Sequence, residues 1–218
     1  MNDDEKKVQE SWERFLNPDE LRPTLIILAI YISTFEILKD SIISRIKDFY
    51  FRGFDENGEI IDPTYQSEVL AKNKSPMHAS LLWFKEAEAI TDEDISIFDK
   101  VKKQRNDIAH QMFHMLSDGL PKDFADRFNQ MASLLNKIEK WWIINVELDL
   151  GPPISIDSNG KLVEMEIDMN QIDLDEIIPG PIASLRMLID VAIGSDEESR
   201  YYFNEFIKAN HKDKDDKS

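Results

Sequence analysis

The residues best suited to chemistry lie in one six-residue segment, Arg105-Asn106-Asp107-Ile108-Ala109-His110. An imidazole titrates near pH ~6.5, so His110 can accept or donate a proton close to neutrality. The guanidinium of Arg105 stays charged and presents a planar fork of donors that fits a phosphate group. The amide of Asn106 can orient a neighbouring group by hydrogen bonds. These residue types therefore favour acid–base chemistry beside a fixed positive charge.

The element that must position these side chains is an amphipathic helix. At about 100° per residue, its apolar arc gathers Phe98, Val101, Ile108, Ala109, Met112 and Leu116. Arg105 falls near the middle of this arc, and a buried guanidinium without a partner would be costly. Arg105 thus needs a carboxylate, a polar cleft or an anionic ligand, and Glu36 on an earlier apolar helix is the candidate carboxylate. A purely structural Arg105–Glu36 ion pair is the alternative to a catalytic arginine.

The spacing from Arg105 to His110, with Asn106 directly after the arginine, resembles the R-x4-6-H motif of HEPN domains. The order of elements is similar too. A long first helix carries an acidic residue, Glu36, a late helix carries the motif, and another long helix follows. The resemblance covers about residues 24–146. It implies a helical bundle, usually a homodimer, in which two motifs face each other across the interface.

Active HEPN members are metal-independent endoribonucleases that use the RNA 2′-hydroxyl and leave a cyclic phosphate. The resemblance accordingly implies an RNA substrate and no cofactor or metal. It makes Arg105, Asn106 and His110 the catalytic residues and Glu36 a supporting one. A toxin or anti-phage effector is the expected class, with an antitoxin or regulatory protein as a further expected partner.

Two other functions remain open. Some HEPN domains do not cleave RNA and serve as regulatory or interaction modules, which the acidic surplus of this chain favours. Alternatively, His110 and His114 stand four residues apart and could hold a metal ion from one helix face, with His78 as a third ligand. Gln111 occupies the position where a metalloprotease with this spacing carries glutamate.

Charge is unevenly distributed along the 218 residues, whose net charge is −17. A nucleic-acid binder is usually basic, so this total argues against tight non-specific binding. Residues 147–176 hold nine acids and one base, whereas residues 99–107 hold four bases and two acids. Lys102 and Lys103, in this locally basic stretch beside the motif, are the candidate substrate-binding residues.

Composition excludes several other classes of protein. The chain has no cysteine, which rules out disulfides, thiolate metal sites and a cysteine nucleophile. The longest apolar run, Leu25–Ile32, has eight residues, whereas a membrane span needs roughly 20. The acidic N-terminus lacks the apolar core of a secretory signal. We therefore expect a cytoplasmic protein without a membrane partner.

The pattern of apolar residues, caps and breakers predicts an all-α fold with a small C-terminal β-hairpin, and the resemblance implies that its helices form an HEPN-like bundle. Helices are predicted at 4–16, 24–52, 76–89, 91–117, 121–146, 180–193 and 196–209, with a loop or short helices between 53 and 74. Alternating apolar residues on both sides of Ser158-Asn159-Gly160 predict the hairpin. The chain then divides into an HEPN-like helical domain (1–150), a hairpin and C-terminal helices that pack on this domain (151–209), and a disordered tail (210–218). The pair Trp141-Trp142 is predicted to belong to the core rather than to stack on RNA bases.

Overall fold

The computed structural model describes residues 2–56, 58–148, 154–156, 160–164 and 176–215. Within these residues the helices are α1 (Asp3–Leu16), α2 (Pro18–Phe49), α3 (Thr64–Glu68), α4 (Pro76–Glu86), α5 (Asp92–Asp118), α6 (Phe124–Trp142), α7 (Gly180–Ile193) and α8 (Asp196–Asp215). The strands are β1 (Phe51–Asp55), β2 (Gly58–Ile61), β3 (Ile154–Ile156) and β4 (Leu162–Glu164). The chain is mainly helical, and β3 pairs with β4 in the expected C-terminal hairpin. Ser158, Asn159, Met165 and Ile167, on which that expectation also depended, lie outside the described residues.

The helix at the centre of the fold, α2, begins earlier than predicted. Asn17 caps its first turn, because the Asn17 side chain accepts a hydrogen bond from the Asp19 N–H at 3.1 Å. Pro18 is tolerated at the first helical position, where its missing N–H would have no partner. Pro23 lies inside the helix, so the predicted start next to this proline is wrong. A single residue, Asn17, therefore joins α1 to α2.

The core forms where α2, α4, α5 and α6 meet, and each of these helices contributes an apolar face. Its fully buried side chains include Tyr31, Leu38, Ile42, Phe84, Phe98, Ile108, Leu135 and Ile138. Trp142 is buried and Trp141 packs against the same core. By length and composition α2 is apolar enough to cross a membrane. The core helix of a soluble protein can have the same length and composition.

A buried ion pair ties α2 to α6. Arg45 Nη2 donates to Glu139 Oε2 at 2.6 Å, and the Glu139 side chain is only 1% exposed. A π-helical turn, Ile143–Glu147, follows α6 and brings Glu147 within 2.6 Å of Arg45 Nη1. Because a buried carboxylate is costly without a partner, this arginine fixes how the two helices lie against each other.

The hairpin formed by β1 and β2 differs from the prediction, which extended the second helix to Arg52. The two strands are antiparallel, with Phe51 opposite Ile61 and Asp55 opposite Gly58. Gly53 and Gly58 have φ values of 138° and 119°, a region that other residues rarely adopt. These glycines therefore permit a tight hairpin directly after the helix.

The C-terminal helices form a pair on one side of the bundle. α7 packs on α2 and α6, and its Ile182 and Leu185 are buried. α8 packs on α7 and extends to Asp215, past the predicted helix end at 209 and into the predicted tail. No glycine or proline follows Gly194, so this stretch lacks the two residue types that most strongly end a helix.

Candidate active site

The helix that carries the motif, α5, is fixed at its start and along its buried side. The Thr91 hydroxyl accepts a hydrogen bond from the Asp94 N–H at 3.3 Å, and the Asp94 carboxylate accepts one from the Thr91 N–H at 2.8 Å. This capping box satisfies N–H groups that the start of a helix leaves without partners. In the core, the Tyr31 hydroxyl donates to the Val101 carbonyl oxygen at 3.3 Å. The position of α5 against α2 is thus well defined where the motif begins.

Arg105 and Glu36 form the expected ion pair between α5 and α2. Arg105 Nη2 donates to Glu36 Oε1 at 2.9 Å, and the guanidinium carbon lies 5.8 Å from the centre of the Phe35 ring. The two charged side chains are 33% and 41% exposed, so the pair lies at the surface. The Nε atom of Arg105 is buried and has no hydrogen-bond partner within the described residues. Glu36 therefore holds this guanidinium through one nitrogen while the group stays within reach of solvent.

Two cations hold Glu36 in its charged form. Lys39 donates to Glu36 Oε2 at 2.8 Å, while Arg105 occupies the other carboxylate oxygen. The hydrogen bond from Lys39, opposed by partial burial and reinforced by the bond from Arg105, keeps the pKa of Glu36 below its ordinary value. Glu36 is consequently ionised at neutral pH and can orient the arginine.

Asn106 and His110 are exposed, and neither side chain has a hydrogen-bond partner in the part of the chain that the structure describes. They are four positions apart, which makes them neighbours on one helix face. Arg105 precedes His110 by five positions, or about 140° around a regular helix and ~7.5 Å along it. Within one chain, the structure therefore pairs Arg105 with Glu36 and sets Asn106 beside His110, but it does not gather all four in a single pocket.

Comparison with known proteins adds no family evidence. No family model matches the chain. No curated protein and no solved structure matches it either. The resemblance to HEPN domains therefore depends on the motif and on the order of the helices, and the function has to be argued from the site itself.

The two lysines that precede the motif differ in exposure. Lys103 is exposed and Lys102 is half-buried. Neither forms an ion pair within the described residues, so both positive charges are available to an anionic ligand. Between them and the motif lies Gln104, which is 8% exposed and whose amide nitrogen has no partner in the same part of the chain.

Gln104 was not among the residues expected to face the core. It stands three residues after Val101 and four before Ile108, which is the spacing of a buried helix stripe, but its polar type concealed this. Ala109, which was expected in the apolar arc, is exposed instead. Directly after His110, Gln111 has φ −123° and ψ 21°, outside the helical region, so α5 bends there. A regular periodicity therefore describes the helix on each side of this bend but not across it.

The histidines do not form a metal site within the described residues. His114 Nδ1 lies 3.7 Å from Asp118 Oδ2, and His78 Nε2 lies 3.0 Å from Asp99 Oδ1. These residues contain no group of three or more histidine, cysteine, aspartate or glutamate side chains that could hold a metal ion. The alternative of a His110–His114 metal site thus lacks a third ligand in this part of the chain.

Proposed function

We propose that the chain is a metal-independent HEPN-type endoribonuclease in which Arg105, Asn106 and His110 cleave RNA. The observation that carries this proposal is the placement of the motif. Glu36 holds Arg105 at the surface, while Asn106 and His110 are exposed about one helical turn apart. An arginine sealed in the core would favour a purely structural role, whereas a guanidinium that is 33% exposed can reach a phosphate.

In the proposed reaction, His110 takes the proton from an RNA 2′-hydroxyl. The 2′-oxygen attacks the adjacent phosphorus, and the bond from phosphorus to the 5′-oxygen of the next nucleotide breaks. The products are a 2′,3′-cyclic phosphate and a 5′-hydroxyl. Arg105 stabilises the negative charge that develops on the phosphoryl oxygens, and Asn106 orients the imidazole or the phosphate. The departing 5′-oxygen needs a proton, which His110 of a second copy supplies in a homodimer.

The basic stretch before the motif supports binding of the RNA backbone. Lys102 and Lys103 add positive charge beside the site, where a phosphate neighbouring the reacting one would lie. They act against a net charge of −17, so the proposed enzyme binds RNA through this local stretch rather than through its surface as a whole.

A second candidate function is a non-cleaving HEPN regulatory or interaction module. The Glu36–Arg105 hydrogen bond favours it, because a carboxylate on the guanidinium competes with a phosphate for the same donors. The overall negative charge favours it as well, since most of the surface repels RNA.

The proposed biological class is a cytoplasmic toxin or anti-phage effector that an antitoxin or regulatory protein restrains. An unrestrained endoribonuclease of this kind would stop the growth of the cell that makes it. Expression of the wild-type chain and of His110→Ala from the same inducible promoter tests this class. Growth arrest by the wild type alone supports it, and equal growth of both strains at equal protein levels contradicts it.

Incubation of the purified protein with single-stranded RNA in EDTA tests the activity itself. We expect fragments with cyclic phosphate and 5′-hydroxyl ends. His110→Ala removes both the base and the acid of the homodimer, so it should lower the cleavage rate by at least about 10²–10⁴-fold, the usual contribution of one such group. Arg105→Ala should lower it by about 10²–10³-fold, as for other groups that stabilise transition-state charge. His78→Gln, a histidine substitution on α4, should cleave like the wild type.

The controls distinguish this activity from that of a contaminating nuclease and from the non-cleaving interaction module. A substrate with a 2′-deoxyribose at the cleaved position must resist, because the attacking oxygen is missing. Equal cleavage by the wild type and His110→Ala would indicate a contaminating nuclease. Loss of cleavage in EDTA would show that a metal is needed. A folded protein that cleaves none of a set of RNAs would leave the interaction module as the better interpretation.

A further inference from the structure

An uncovered apolar patch lies where α1 crosses α5. Val8, Trp12 and Leu16 follow one another at four-residue intervals on α1, and these side chains are 58%, 58% and 69% exposed. The Phe15 ring lies 6.1 Å from the Trp12 ring and 6.4 Å from the ring of Phe113 on α5, which is 76% exposed. No residue of α1 is buried. We call these five side chains the α1/α5 patch.

The α1/α5 patch has a polar border in which Ser11 and Ser117 bond to Asp118. A groove of about 450 Å³ runs between α1 and α5, with Lys7, Ser11, His114, Ser117 and Asp118 beside the apolar side chains. Asp118 Oδ1 accepts hydrogen bonds from Ser11 Oγ at 2.8 Å and from Ser117 Oγ at 2.9 Å. The border therefore anchors α1 on α5, while the apolar side chains between remain in contact with water.

We propose that a second copy of the chain covers the α1/α5 patch with its own α1/α5 patch. An aromatic side chain presents about 200 Å², and valine and leucine present less, so the exposed fractions of Val8, Trp12, Leu16 and Phe113 leave up to about 500 Å² of apolar surface. A standard stable interface buries about 800 Å² per partner, and about 65% of a homodimer interface is nonpolar. The patch thus supplies the nonpolar part of one half of such an interface, and its polar border supplies the rest.

A two-fold arrangement fits a patch of this shape, because the same surface of both copies then meets itself. The stripe on α1 packs against the partner's stripe with the helices antiparallel, and Trp12 lies near the axis. Phe113 stands three residues after His110 on α5, so the contact forms next to the motif. That His110 of the second copy acts as the acid rests on the proposed function. The association of two chains through the α1/α5 patch does not rest on it.

RNA is a poorer occupant of this surface than a second copy. A stacking platform for single-stranded nucleic acid combines aromatic rings with a basic track along the backbone. Among the residues that line the groove, Lys7 is offset by Asp118, and α1 as a whole carries five acids against three bases. The aromatic rings are therefore present without the positive charge that a phosphate backbone requires.

Sedimentation of the full chain at about 1–50 µM tests the proposal. We expect a wild-type dimer, and for Trp12→Glu and Phe113→Glu a dissociation constant raised at least about 100-fold, since a central aromatic residue dominates such contacts. Phe54→Glu is the matched control, because Phe54 on β1 is 75% exposed and Phe113 is 76% exposed. Circular dichroism of each variant confirms that it is folded, and Leu16→Glu replaces any variant that is not.

The absence of native cysteine permits a second measurement on the same surface. In the antiparallel arrangement position 8 of one copy faces position 16 of the other, so Val8→Cys and Leu16→Cys chains are mixed and oxidised, with Phe54→Cys as the control. A disulfide requires Cα atoms within about 7 Å, so the mixed pair should cross-link two chains efficiently and position 54 should not.

Three results would overturn the proposal: a wild-type monomer across the concentration range, a dimer that Trp12→Glu and Phe113→Glu leave unchanged, or a monomer whose tryptophan fluorescence an RNA oligonucleotide quenches in the wild type but not in Trp12→Phe. The first two results would show that no second copy covers the α1/α5 patch, and the third would show that RNA binds there instead. A dimer that depends on the patch but cleaves no RNA would support this interface and refute only the endoribonuclease. A monomeric Phe113→Glu that cleaves like the wild type would refute the shared site.

Discussion

Among single residues, Glu36 links the fold to the proposed chemistry, because its charge orients Arg105. Its pKa is lowered by the hydrogen bond from Lys39 and also by that from Arg105. A lowered pKa in the folded state adds stability above the ordinary value of 4.5, and this contribution is lost as the pH falls through the lower folded value. Glu36→Gln should therefore cost about 0.5 kcal/mol at pH 7, as for an exposed ion pair, and almost nothing near pH 3.

Chemical denaturation of both proteins at several pH values measures this difference. Glu56→Gln, at an exposed glutamate between β1 and β2, is the control and should change stability little at any pH. A cost of Glu36→Gln that is the same at pH 7 and pH 3 would contradict the assignment. In that case the carboxylate charge would not be what stabilises the pair.

The partner of Arg105 could be predicted from the sequence, but the direction in which the His110 side chain points could not. An arginine in an apolar arc requires an acid, and Glu36 at the edge of the preceding long helix met that requirement at 2.9 Å. The positions of Asn106 and His110 carry no such requirement, because exposed polar side chains are compatible with many arrangements. The bend at Gln111 has no glycine or proline to signal it.

At the scale of helices and strands, the turn after α4 contains a residue in an unfavourable backbone conformation. Glu88 has a φ of 60°, and its N–H donates to the Lys85 carbonyl while the Ala89 N–H donates to the Phe84 carbonyl. This is the Schellman arrangement that ends many helices, and glycine usually occupies the left-handed position. Because that conformation costs other residues about 1–2 kcal/mol, Glu88→Gly should raise the free energy of unfolding by about 1 kcal/mol.

Thermal or denaturant unfolding of Glu88→Gly measures the gain, and Glu88→Ala is the control. Alanine removes the same carboxylate but keeps a β-carbon, so it should not stabilise the protein. A gain of equal size from both substitutions would show that the charge of Glu88, rather than its backbone conformation, had been unfavourable.

The helix boundaries could be predicted where a cap and a breaker agree. Ser75-Pro76 and Thr91 mark the starts of α4 and α5 correctly, because a capping side chain stands directly before each helix. The β1–β2 hairpin was missed although Asn57-Gly58 is a strong hairpin signal. Its strands are short and follow 32 helical residues, so the helical periodicity outweighed a signal that extends over only two residues.

At the scale of the whole molecule, helical content followed from the sequence, whereas the uncovered surface did not. The apolar stripe of α1 had the same pattern as a stripe that packs on the core, and only the three-dimensional structure shows that it is exposed. Periodicity identifies a face that must be covered but not what covers it. The resemblance implies a homodimer, but only the fold shows a candidate surface for it, the α1/α5 patch.

The overall charge makes a further prediction about stability. With 43 acidic and 26 basic residues, the folded chain repels itself, and salt screens this repulsion as the Debye length falls from about 30 Å at 0.01 M to about 3 Å at 1 M. Salt also weakens the exposed ion pairs, but each contributes only about 0–1 kcal/mol, and the buried Arg45–Glu139 pair is screened little. Repulsion among the excess acids therefore dominates.

Raising NaCl from about 0.01 M to 0.5 M at pH 7 should increase the melting temperature by a few degrees, since ~1 kcal/mol shifts a domain of this size by about 2–4 °C. Differential scanning calorimetry at constant protein concentration measures the shift. At the isoelectric point near pH 4.6 the net charge vanishes, so the same salt should have little effect. A lower melting temperature at pH 7 would mean that ion pairs outweigh the repulsion. An equal rise at both pH values would mean that salt acts on apolar burial instead.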